Sequence, residues 1–161
     1  MATPAVISTE DMQSLSPGEL FYYDANNFKC LGMVIEVSDG DKFFVKLMEN
    51  GKAVDKMEVC DLQRTPVISF GRNFAVKLSE HLSDWHVESD LPNPGYPNIA
   101  IAKNSAQYFV SKDEHGRRVW VELATGKFST AWPEPAYSTI SNCEIVFRPT
   151  EDQEVLLLTL S

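Results

Sequence analysis

A mainly β fold is predicted by three features of this sequence. Short runs rich in aromatic and β-branched residues recur along it, turn-forming clusters separate them at close intervals, and prolines punctuate the longer connections. The 161 residues, 43% hydrophobic and 23% charged, have the make-up of a chain that buries a core of its own.

Residues 1–16 form an N-terminal segment that starts with small and polar side chains and is expected to fray, with one helical turn beginning at Ser8-Thr9-Glu10-Asp11. Ser16-Pro17-Gly18 is a turn, and a first unit is expected over 17–70. Its first strand, Glu19 to Asp24, ends at Ala25-Asn26-Asn27; its second, Lys29 to Val37, ends at Ser38-Asp39-Gly40-Asp41. Lys42 to Met48 is a third, closed by Glu49-Asn50-Gly51-Lys52, where Asn-Gly is the strongest hairpin signal of the chain. Lys56 to Cys60 alternates polar with apolar as a fourth, and Pro66 to Phe70 extends or caps the unit. A meander of this kind has to roll up to bury its aromatic faces.

The region 71–97 is read as a linker. Ala75 to Trp85 lacks Gly and Pro and carries good helix formers, which predicts one short helix. Asp90 to Pro97 holds three prolines and a glycine, an extended loop in which Tyr96 is offered to a partner. From 98 to 161 a second antiparallel sheet or barrel is expected, packed on the first. Its strands are Ile99 to Ala102, an apolar edge suited to self-assembly, then Ala106 to Ser111, Arg117 to Leu123, Phe128 to Trp132 and a final hairpin of Cys143 to Phe147 with Glu154 to Leu160. The last strand is apolar enough to require a central or covered position.

Residues 17–65 resemble a Tudor-type or related SH3-like barrel. The likeness is carried by Gly18-Glu19, by Gly32 within Leu31-Gly32-Met33-Val34, by Phe44-Val45-Lys46-Leu47, and by Val59-Cys60-Asp61-Leu62. Methyl-recognising Tudor domains place an aromatic beside the third-strand turn, where this chain has Glu49-Asn50-Gly51. Tyr22, Tyr23, Phe28 and Phe43 are the rings left to line a groove, since ring faces attract cations.

The charge balance, 14 Lys plus Arg against 23 Asp plus Glu for a net −9, argues against direct contact with nucleic acid. Up to Thr65 there are 6 basic and 11 acidic residues, and 8 and 12 beyond it, so neither part owns the acidity. A basic patch of Lys42, Lys46, Lys52 and Lys56 would restore that contact. The chain has neither a membrane-length apolar stretch nor a secretory pattern, and three widely spaced cysteines, Cys30, Cys60 and Cys143, fit reduced thiols; a cytoplasmic location is expected.

His81 and His86 with Cys60 or Asp84 lack the spacing of a zinc site, no serine lies in a nucleophile elbow, and phosphate loops are missing. The expectation is a non-enzymatic binding module or adaptor without metal or cofactor, whose partner is another protein. One form of it is an acidic inhibitor from a phage or mobile element that occupies a partner's basic surface. A nucleic-acid-associated SH3-like protein and a structural subunit of a larger assembly are the alternatives.

Overall fold

The computed structural model describes residues 7–25, 28–37, 40–87, 98–102, 104–130 and 137–160. Among them the secondary structure is strand, with short 3-10 turns and no α-helix. The strands of the first region are β1 (Ser8–Asp11), β2 (Leu20–Ala25), β3 (Phe28–Glu36), β4 (Lys42–Glu49), β5 (Lys52–Ala53), β6 (Val59–Cys60) and β7 (Pro66–Gly71). They form one antiparallel sheet in the order β1-β7-β2-β3-β4-β5, with β6 also on β4.

The turn chemistry explains the register. Asn50 and Gly51 both have positive φ, 51° and 85°, the geometry of a tight hairpin turn whose twist matches the strands it joins, and Glu49 faces Lys52 across it. The sheet folds over on itself: Val67 of β7 and Cys60 of β6, separated in the strand order by β2, β3 and β4, pack in the same cluster around Phe21, Val34 and Phe44. Met12 and Leu15, buried at 2% and 1% exposure, fill that cluster from the 3-10 turn after β1. The N-terminal segment is therefore held from Ser8 onward by β1 on β7 rather than frayed.

Beyond Gly71 the strands are β8 (Phe74–Lys77), β9 (Trp85–Val87), β10 (Asn98–Ala102), β11 (Gln107–Lys112), β12 (Arg118–Glu122), β13 (Phe128–Ser129), β14 (Tyr137–Ile140), β15 (Cys143–Thr150) and β16 (Gln153–Leu160). A six-stranded sheet runs β13-β12-β11-β10-β14-β9, and a three-stranded one β16-β15-β8.

Three expectations are corrected here. The short helix over Ala75–Trp85 is replaced by β8, a 3-10 turn at Leu82–Asp84 and β9, because Phe74 and Val76 pair with Phe147 and Ile145 of β15, and tertiary pairing overrides local helix propensity. The strand at Ile99–Ala102 is interior, bonded to β11 on one side and β14 on the other, so it presents no edge. The last strand, β16, is an edge of its sheet, with Val155 and Leu156 half exposed, and only its far end reaches the core through Leu158 and Leu160.

One continuous core joins the two regions. Leu20, Met33, Ile35, Val45 and Leu47 of the first sheet share a buried cluster with Phe109, Val121, Ile140, Ile145 and Leu158. Backbone bonds stitch the seam: Met57 N–H donates to Lys112 O at 2.7 Å, and Glu36 N–H to Gly126 O at 2.9 Å. Gly126 has φ +74°, and a Cβ there would lie 2.3 Å from Gly18 N, so a side chain has no room where the second region meets the first.

Candidate functional site

Strand alternation sorts the aromatic residues of the first sheet onto two faces. In β2, Leu20 joins the large core while Phe21 and Tyr23 belong to the folded-over interior; in β4, Phe43, Val45 and Leu47 take the core side and Phe44 the interior. Phe21 is seated against β3 by a missing side chain, since a Cβ on Gly32 would stand 2.5 Å from its ring. Phe21 and Phe44 meet edge to face at 5.5 Å.

At the end of this interior, beyond Phe21 and Phe44, the packing stops short and leaves a pocket of about 310 Å³. Tyr23 and Phe28 stand edge to face at 6.1 Å in its wall, joined by Met12, Cys30, Cys60 and Gln63. Lys46 is the charged residue of the lining, and its Nζ lies 4.7 Å from the centre of the Phe28 ring.

Of the sequence-selected rings, Tyr23 and Phe28 come together in this pocket. Phe43 packs against the large core, Tyr22 is paired between Leu31 and Ile68 on the alternate face from Tyr23, and Tyr96 lies outside the described residues. Phe21 and Phe44 are not among the rings selected from the sequence, and Lys46 is selected there only as part of a basic patch, although the two-residue period that links Tyr23 to Phe21 and Phe44 to Lys46 is a signal for them.

Burial disfavours the thiolate at all three cysteines. Burial pushes Cys30 up to about 12 and Cys143 to about 11, and it raises Cys60, which Lys46 only partly offsets. Cys60 is half-buried in the pocket wall, while Cys30 and Cys143 are buried.

Other clefts are less specific. A groove of about 590 Å³ gathers Lys46, Lys52 and Lys56 with Glu49, Asp55, Glu58 and Glu114, so these lysines are interleaved with carboxylates rather than massed. Lys42 stands apart, donating to Leu15 O at 3.0 Å. A cleft of about 420 Å³ beside Phe74–Val76 has Arg72 in its lining, and this guanidinium is engaged with the carbonyl of Pro17.

Around Asp84 the polar groups serve the loop itself. Ser79 Oγ and Asn142 Nδ2 donate to its carboxylate, the latter at 2.8 Å, and hold its pKa below the usual carboxylate value, with His81 and His86 adding a smaller push the same way. Trp85 Nε1 donates to Ser79 O at 2.9 Å. Among the described residues, no three metal-ligating side chains converge. No helix among them is long and apolar enough to cross a membrane.

The chain matches no protein-family profile, and no curated protein or solved structure matches it significantly.

Proposed function

We propose that this chain is a non-enzymatic protein-binding module, whose first region is an SH3-like barrel and whose binding site is the aromatic pocket at the end of that barrel. The barrel reading is supported by the order β7-β2-β3-β4-β6, a meander whose returning strand lies beside its first. The observation that carries the site is the lining itself: four rings, a methionine and two neutral thiols around an open space, with a single ammonium over one of the rings. Small clefts lined by apolar groups with a few oriented polar ones are where proteins take ligands and partner side chains. Thiols whose ionisation is disfavoured by burial support binding over thiolate catalysis.

Capture from the native cytosol on immobilised wild type, Phe28→Ala and Tyr22→Ala tests the reading. A stoichiometric protein retained by wild type and Tyr22→Ala but lost by Phe28→Ala supports it. Equal retention by all three, with each variant shown folded by circular dichroism, would place the interaction elsewhere and defeat the proposal. Cys60 offers a second reading of occupancy, since a bound partner should slow its alkylation.

A further inference from the structure

The pocket already contains a cation, and that decides the charge of what it accepts. With Lys46 Nζ 4.7 Å from the Phe28 ring centre, an incoming ammonium could reach that ring face only by displacing the lysine. It would exchange one cation–π contact for another of similar strength and gain nothing net. A carboxylate keeps the existing contact and adds a charge-assisted bond in a half-buried setting, where screening is weaker than in open solvent.

The pocket lining itself contains no carboxylate, while Glu49 and Glu58 line a neighbouring groove that Lys46 also lines. Gln63, also in the lining, is a residue type whose amide can donate. The remaining walls are rings and sulfur, and about 310 Å³ is at the small end of ligand clefts, room for one residue rather than a segment.

We infer that the pocket receives the C-terminal residue of a partner chain, an aromatic or branched aliphatic side chain between the rings with its free carboxylate at Lys46. The inference rests on the reading of the pocket as the partner site. An internal Asp or Glu brings the charge without apolar volume, and an internal Phe or Leu brings the volume without the charge. Among unmodified residues of a polypeptide, an apolar residue at the C-terminus joins both in one unit.

The test is a charge series on the full chain, followed by amide chemical shifts of β2, β3 and β4: acetyl-Gly-Gly-Phe as free acid, the same peptide as C-terminal amide, and phenethyltrimethylammonium. The acid is expected to bind about fivefold more tightly than the amide, the scale of a partly screened ion pair, and the cation most weakly. Lys46→Met should erase the acid–amide difference and improve the cation, and Lys46→Arg should preserve the acid preference. Phe28→Ala should weaken every probe.

Equal binding of acid and amide, both weakened by Phe28→Ala, would overturn the carboxylate inference and leave the pocket as a binding site. Preference for the cation in wild type would overturn it in favour of a cage. Shifts confined to residues away from the pocket would overturn it as well, while the partner reading is judged separately by Phe28→Ala capture. The wild-type series decides even where a Lys46 variant fails to fold.

Discussion

The two faces of β2–β4 are made of similar residues and end differently. On one, Leu20, Met33, Ile35, Val45 and Leu47 are sealed against the second region in a continuous core. On the other, Phe21, Val34 and Phe44 begin an equally apolar interior, which then opens at Tyr23, Phe28 and Lys46. Hydrophobic content does not separate the faces; the completeness of their packing does. A sealed face answers to stability and an open one to occupancy, so substitutions should divide accordingly.

The largest effects belong to the sealed side. Phe109→Ala removes a fully buried ring from the joint core and is expected to destabilise by about 3–5 kcal/mol. Gly126→Ala forces a side chain into backbone at the seam, at a positive φ, and should cost about 3 kcal/mol. Both are read as a lowered urea midpoint. An undiminished midpoint for Gly126→Ala would mean that the two regions do not meet as described.

Gly32→Ala is intermediate, because its methyl meets the Phe21 ring rather than backbone; a loss of about 1–3 kcal/mol is expected as that ring shifts toward the pocket. Phe28→Ala should sharpen the contrast, with stability changed by less than about 1.5 kcal/mol at this half-buried position while probe binding collapses. A loss as large as that of Phe109→Ala would show that the pocket face is structural.

The smallest effect is set by pH. Ser79 and Asn142 stabilise the ionised Asp84, so the folded protein holds that proton less tightly than the unfolded chain, whose Asp titrates near about 3.9. The contribution is complete above that value and is lost as pH falls through the lower folded one. Asn142→Ala should therefore lower the thermal midpoint at neutral pH, and the gap from wild type should narrow toward pH 3. A constant gap would assign Asn142, whose own φ is +57°, a purely conformational role.

The hairpins were legible because their turns carry their own geometry, as at Asn50-Gly51. The face assignments were not. Cys30 through Ile35 is buried on both sides of β3, so alternation of polar and apolar, the signal that assigns a face, is missing there. The segment Ala75–Trp85 misled because β8 is specified by a partner about seventy residues away, and local propensity contains nothing of it. For the site, two rings of the pocket could be selected from the sequence, but the space between them depends on where Met12 and Leu15 stop filling the interior.

The pairing of β8 with β15 also sets a timetable. As the chain leaves the ribosome, Phe74–Lys77 emerges long before Glu144–Phe147, the segment that will pair with it. At synthesis rates of about 5–20 residues per second, the interval is roughly 4–14 s. Strands β10 to β14 emerge within it and begin to cover the face bearing Met33, Ile35, Val45 and Leu47, but Ile145 and Leu158 of the same core come only after it. The core that joins the two regions is thus completed only once the last hairpin has been made.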